Sequence, residues 1–271
     1  MSIECASPPA EVRSEPCQLD RIPVSTLGEA CTLDLLTRWM EGTTPRRVAT
    51  ANLDFLRLAH TDNVLRGTLQ TADLVTADGW PLVALSRLTS SPVAERVAGS
   101  DLVPALLKIA ADRGLRVYFL GSTDQVMARA LEVITQKHPE LEVAGHASPF
   151  VDWDDAEAVT PILDAIRETR PDLLLVALGC PRQDLFLARH IEASGASLGI
   201  GIGGTLDFIA GHRIRAPRII QRLGLEWLVR LAQEPRRLLW RYWIDFIHFN
   251  RLVVSTWRDS RGLSRSTTVR P

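Results

Sequence analysis

The chain has 271 residues, of which 46% are hydrophobic and 23% charged, and its net charge is −1. These values describe an ordinary globular protein with one large domain, or one domain and an appendage, and they argue against extensive disorder. They exclude a uniformly basic nucleic-acid binder, and no apolar run approaches the ~20 residues of a membrane-spanning helix.

Residues 1–20 carry Glu4, Glu11 and Glu15 among several prolines and have no apolar h-region, so they read as a mobile tail and not as a signal peptide. Beyond them, apolar runs alternate with amphipathic stretches. Strands are predicted over 47–53, 73–77, 116–120, 141–145, 172–178 and 197–202, and helices near 54–66, 101–113, 124–137, 154–169 and 183–194. Ser100 or Asp101 is a candidate cap for the second of these helices and Asp154 for the fourth. A run such as "LLLVALG" does not alternate polar with apolar, as expected of a strand buried on both faces of a parallel sheet. The expected fold is therefore α/β, a Rossmann-like, mostly parallel sheet flanked by helices over residues 21–212. From 217 onward the pattern is helical only, near 217–233 and 236–256, with Glu234-Pro235 marking the break because proline is tolerated only in a first helical turn. Residues 213–258 thus form a helical C-terminal appendage, followed by a tail over 259–271.

Charge follows the same division. Residues 213–258 hold ten arginines against Glu226, Glu234 and Asp245, a local charge of +7. An acidic body with a basic end points to an anionic partner at that end. Arg230, Arg237 and Arg241 are spaced by seven and four and interleave with Trp240, Tyr242, Trp243, Phe246 and Phe249. Arginine suits phosphate, and arginine beside aromatics suits a membrane interface. The competing reading is that the aromatics are core and the arginines are solvated, or paired with Glu226 and Glu234.

In open α/β sheets ligands bind beyond the carboxyl ends of the strands. Polar and glycine residues gather there: Thr50 and Asn52, then Asp78-Gly79, then Gly121 to Thr123, then "GCPRQD" from Gly179 to Asp184, then "GGTLDF" from Gly203 and Gly204. Taken together they outline a ligand cleft. Locally, Asp78 is a cap for a helix starting near Pro81. Gly199, Gly201 and Gly204 match the dinucleotide fingerprint formally, but in the last strand and not the first, so a classical NAD site is not expected. The four cysteines, Cys5, Cys17, Cys31 and Cys180, form no CxxC pair, which fits a reducing cytosol and gives no disulfide framework or zinc pattern.

Seven blocks occur in order: "TANLDF" (50–55), "ADLVTADGWPLV" (72–83), "ERVAGSDLVPALL" (95–107), "YFLGST" (118–123), "PDLLLVALGCPRQD" (171–184), "IGGTLDFIAG" (202–211) and "RAPRIIQRLGLEWLVRLAQEPRR" (215–237). Over roughly 22–250 the sequence resembles the WecG/TagA/CpsF bacterial glycosyltransferases, glycosyltransferase family 26. The resemblance implies an inverting, metal-independent transferase with no cofactor. Its members move N-acetylmannosamine or a related hexose from a UDP-sugar to an undecaprenyl-pyrophosphate-linked sugar, in synthesis of cell-envelope polysaccharides and exopolysaccharides. It implies Asp78 as general base, Thr50, Asn52 and Gln183 in the substrate pocket, and Arg230, Arg237 and Arg241 at the lipid pyrophosphate. With Gly79 permitting close approach of substrate, backbone N–H groups at Gly121, Gly179, Gly203 and Gly204 are candidates to hold the diphosphate. The resemblance also implies a cytoplasmic protein held peripherally on the inner face of the plasma membrane, able to self-associate, with no nucleic-acid partner and no metal ligands. The family often has Glu at the positions of Asp54 and Asp184 and Lys at that of Arg182, departures that bear on the donor sugar. Rival readings are a nucleotide-sugar-binding oxidoreductase and a non-catalytic membrane-associated scaffold.

Overall fold

The computed structural model describes residues 15–222 and 224–266. Six parallel strands form the central sheet: β3 (Arg46–Ala51), β4 (Leu74–Ala77), β5 (Arg116–Gly121), β6 (Glu142–Ala147), β7 (Leu173–Ala177) and β8 (Leu198–Gly201). Their order across the sheet is β4-β3-β8-β7-β5-β6. Strand β7 shows why the run "LLLVA" lacks alternation. Leu173 and Leu175 face one core with Phe119, Leu198 and Ile200, while Leu174 and Val176 face another with Tyr118, Leu120 and Phe186. Successive side chains point to opposite faces, and helices cover both. The Rossmann-like α/β expectation is met.

Helices α5 (Gly99–Arg113), α6 (Asp124–Lys137), α7 (Ala156–Thr169) and α8 (Arg182–Ser194) lie within two residues of their predicted bounds. The caps differ: Ala98 precedes α5 without a side-chain bond, and Asp155, not Asp154, accepts from Glu157 N at the start of α7. The helix expected over 54–66 is two, α2 (Leu53–Thr61) and α3 (Asn63–Gln70). Between them Asp62 takes an extended conformation and its carboxylate accepts from Val64 N and Leu65 N. Asp, Asn and Thr compete with helix through such local bonds, which hydrophobic periodicity does not register. Two further helices were not anticipated, α1 (Glu29–Met40) and the short α9 (Thr205–Ile209).

Residues 1–14 of the expected tail lie outside the described residues, and from Cys17 the chain does not form a tail. Residues Cys17–Leu19 (β1) pair antiparallel with Ile22–Val24 (β2), and Cys17, Leu19, Ile22 and Val24 are fully buried. They pack in a third core with Ala51, Phe55, Val75 and Leu82 from β3, α2, β4 and α4 (Trp80–Ser86).

The C-terminal helices are α10 (Arg218–Arg222), α11 (Glu226–Gln233) and α12 (Pro235–Ser266). Pro235 opens α12 as expected, but the helix foreseen over 217–233 is split at Gly224, whose φ is +72. A Cβ there would lie 2.9 Å from Trp80 Cγ, so the chain is pressed against that indole where only glycine fits. Trp80 Nε1 donates to Gln221 O at 2.6 Å. Helix α12 runs past the boundary expected at 258 and is two-faced. Leu238, Asp245, His248 and Leu252 are buried against the body, while Leu239, Trp240, Trp243, Phe246 and Val254 are exposed. Among the described residues no helix is long and apolar enough to cross a membrane.

Candidate active site

The carboxyl ends of β3, β4 and β8 converge. Thr50, in register with Thr76, donates from Oγ1 to Gly201 O at 2.9 Å, which ties β3 to β8 where both strands end. Asn52 caps α2: its Oδ1 accepts from Asp54 N and Phe55 N at 3.0 and 3.3 Å, leaving its amide nitrogen as the group able to donate elsewhere. Asp78 N donates to Ala51 O at 2.7 Å, which sets the β4 end beside Asn52. Gly79 follows with φ +148, a conformation nearly confined to glycine. A Cβ on it would come within 3.9 Å of Asn52 Cβ. Thr50, Asn52, Asp78 and Gly79 therefore form one lip of the cleft.

Asp78 is not a helix cap. The N-cap of α4 is Gly79, with no side-chain cap bond. Instead its carboxylate faces charged groups from three parts of the chain. Arg96 Nη1 lies 4.0 Å from Asp78 Oδ1 and 3.0 Å from Glu226 Oε2, while Nη2 lies 2.6 Å from Asp101 Oδ2. Arg215 binds the other oxygen of Asp101. Burial pushes the Asp78 carboxyl up to about 6, against the opposing pull of Arg230 and Arg96, with the Glu226 and Asp101 carboxylates adding to the rise. A carboxylate so placed is ionised at neutral pH yet more basic than an exposed one, which suits it to accept a proton.

Arg230, on α11, stacks over the Phe208 ring at 5.2 Å. Arg241, on α12, has Nη1 3.8 Å from Asp54 Oδ2 and lies over the Tyr242 ring at 5.4 Å. Their expected carboxylate partners are occupied otherwise, since Glu226 binds Arg96 and Glu234 binds Arg213 at 3.1 Å. Arg230 Nε and Arg241 Nε are buried with no hydrogen-bond partner among the described residues. Arg230 thus brings positive charge near Asp78 and Arg241 near Asp54, and guanidinium groups suit an anion. The Arg237 side chain lies outside the described residues.

The loops after β7 and β8 are braced to each other. Gln183 is 1% exposed, and its Oε1 accepts from Gly203 N at 2.9 Å. That N–H, expected to be open to a diphosphate, is thus taken by the protein. Gly179 and Gly203 have φ of +73 and +50 and open space where a side chain would project. Gly121, at the end of β5, has φ +98 and backs onto Ala177, whose carbonyl lies 2.8 Å from where a Cβ would sit. Gly204 caps α9 beside Arg213 and Asp207. The fingerprint-like glycines are explained by packing. A Cβ on Gly199 would lie 2.5 Å from Leu187 Cδ2, and one on Gly201 would lie 2.5 Å from Gln183 Nε2, so both let α8 close onto β8. Asp184 turns away from the cleft, lining a small cavity with Arg47 and Thr68 between α3 and α8. Its departure from the family pattern therefore concerns body packing. Asp54, bound to Arg57 and near Arg241, does border the cleft.

Sequence reasoning missed Arg96, its partners Asp101 and Glu226, and Arg215, which binds the same Asp101. "ERVAGSD" lay within a recognised block, but nothing local marks Arg96 as the hub of contacts reaching 130 residues along the chain.

The sequence model of the "Glycosyl transferase WecG/TagA/CpsF family" matches residues 17–262. A Bacillus spizizenii N-acetylglucosaminyldiphosphoundecaprenol N-acetyl-beta-D-mannosaminyltransferase is 32% identical over 213 residues, covering 79% of this chain and 80% of that protein. Proteins of the same name from Staphylococcus aureus strains MW2 and NCTC 8325 are each 29% identical over 191 residues, covering 70% of this chain and 73% of theirs. With the family match spanning nearly all described residues, the chain belongs to the WecG/TagA/CpsF glycosyl transferase family and is a glycosyltransferase.

Proposed function

We propose that the protein transfers a sugar of the N-acetylmannosamine type, or a related hexose, from UDP to an undecaprenyl-pyrophosphate-linked sugar, with inversion. The observation that carries this reading is the half-buried carboxylate of Asp78, raised to about 6 at the strand ends and faced by Arg96 from the body and Arg230 from α11. The names of the relatives, which specify a diphosphoundecaprenol-linked acceptor, support the acceptor class. Asp78 takes the proton of the acceptor hydroxyl as that oxygen attacks the anomeric carbon. The bond from that carbon to the UDP oxygen breaks, UDP leaves with the electron pair, and Asp78 is left protonated. Arg230 and Arg241, with Arg237 alongside in sequence, meet the acceptor pyrophosphate through charge-assisted hydrogen bonds, and the transfer is metal-independent. The exposed aromatic face of α12 rests on the inner surface of the plasma membrane, where lipid-linked acceptors lie.

The test is a UDP-release screen across UDP-sugars with a lipid-pyrophosphate acceptor, in the presence and absence of EDTA. Turnover with a UDP-hexosamine that needs the lipid acceptor and survives EDTA is expected. Absence of acceptor-dependent UDP release with every donor would overturn the reading. Thermal stabilisation by UDP and not by NAD is expected alongside; the reverse would favour an oxidoreductase.

A further inference from the structure

Three side chains unused by the proposed transfer meet at the far end of α2. Asp20 occupies the two-residue turn between β1 and β2, and both turn residues have positive φ, 47 for Asp20 and 69 for Arg21. His60 lies in the last turn of α2, and His248 lies on the buried face of α12. His60 Nδ1 is 2.9 Å from Asp20 Oδ2, and His248 Nε2 is 3.9 Å from the same oxygen. The two rings meet edge to face with centroids 5.2 Å apart. One donor atom from each residue lies within 4.8 Å of the others.

The interior member makes this more than a surface cluster. His248 is 6% exposed, and its Nε2 has no hydrogen-bond partner among the described residues. At 3.9 Å the nearest acceptor is too far for a hydrogen bond, and a buried polar atom without a partner is costly. A tetrahedral zinc ion with bonds of about 2.0–2.1 Å holds its ligand atoms about 3.4 Å apart. The observed 2.9 and 3.9 Å lie on either side of that spacing and the two imidazole nitrogens lie within 4.8 Å of each other, so side-chain rotation is what would bring all three atoms onto one ion.

We propose that Asp20, His60 and His248 bind a divalent transition-metal ion of the zinc class, which fastens α12 to the β1–β2 hairpin and to α2. Two imidazoles and a carboxylate are the donors such ions take, with a fourth position left for water. Binding needs neutral imidazole. Burial holds His248 below the ordinary histidine range, Asp20 opposes this, and His60, Arg57 and Arg251 add to it. The positive charge of Arg57 is answered by Asp54 and Asp245, which both bind it, so it does not repel a cation outright. The site is structural. Asn52 caps one end of α2 and His60 closes the other, about 12 Å away at 1.5 Å per residue, so the ion does not reach the reacting atoms. No motif announces it, because the three ligands come from three distant parts of the chain.

The experiment uses the full chain without a histidine tag, stripped by chelator and titrated with zinc chloride in a calorimeter. Cobalt absorption serves as a second reading of the coordination. One zinc ion per chain is expected, with Tm raised on the order of 5 °C at saturation and the tetrahedral cobalt spectrum. His60→Ala, at a largely exposed ring, and Asp20→Asn, which keeps a residue tolerant of positive φ, are each expected to weaken binding at least tenfold while retaining the fold by circular dichroism. No stoichiometric binding at micromolar zinc by the unmodified chain, or unchanged affinity in both variants, would overturn the proposal.

Discussion

The sheet and the C-terminal helices are built by opposite rules. In β7 every residue is buried on both sides, and the chemistry at its end is presented by backbone and small residues. In α12 one face is committed to the body through Leu238, Asp245 and Leu252, while the other carries Trp240 at 69% exposure, Trp243 at 57% and Phe246 at 58%. The body earns its stability from apolar burial on both faces of the sheet. The helices spend apolar surface outward, which an isolated soluble domain has no reason to do. The difference teaches that the helices are a working surface: they contribute Arg230 and Arg241 inward and an aromatic face outward.

That division can be broken by substitution. The largest effect belongs to the body: Asp78→Asn is expected to lower kcat by about 10²–10⁴-fold with UDP binding retained, measured by UDP release and by thermal shift with UDP. Wild-type turnover in that variant would remove Asp78 from the chemistry. Next, Leu175→Ala, at the sheet centre, is expected to cost about 2–5 kcal/mol of stability in chemical denaturation. Removing an apolar side chain from the outer face of α12, as in Trp240→Ala, should by contrast change stability by less than about 0.5 kcal/mol while weakening binding to anionic vesicles. Equal destabilisation by the two changes would mean that the outer face is also core. Arg230→Ala is expected to raise KM for the lipid-linked acceptor by about tenfold, the loss of one charge-assisted contact of about 1.5 kcal/mol, with donor KM unchanged.

A further effect is in pH. A carboxyl whose folded pKa is raised to about 6 binds its proton more tightly when folded, so its contribution to stability falls as pH rises from its ordinary range near 4 to about 6. Asp78→Asn should flatten that part of the stability profile, by about 1–3 kcal/mol, and should remove an acid limb near pH 6 from any residual activity.

Much of the body was legible because parallel strands buried on both faces write themselves as apolar runs, as "LLLVA" does. Asp62 and Gly224 were not, because a local capping bond and a close approach to Trp80 break helices that periodicity continues. The strand Cys17–Leu19 was lost in a polar, proline-rich context, three residues being too few to show a period. Thr50, Asn52 and Asp78 were singled out from their place at strand ends together with the family blocks, and the fold brings them side by side. Local chemistry alone gave Asp78 as a cap, and the structure assigns that place to Gly79. Gln183 was found, yet its role as a brace between two loops depends on Gly203, a contact no spacing encodes. Arg96 was missed for the same reason: its partners come together only in the folded chain.

The charges around Asp78 come in equal parts from two sources, Arg96 and Asp101 from the body and Arg230 and Glu226 from α11. Burial raises the proton affinity of Asp78, and charges shared between the body and the helices then adjust it, so that affinity is in part a property of a joint. A chimera that kept this body and borrowed the last helices of a relative would inherit a different pH optimum with every residue of its sheet unchanged. On the proposed mechanism, acceptor choice and the working pH range are linked through α11, and altering one would require retuning the other.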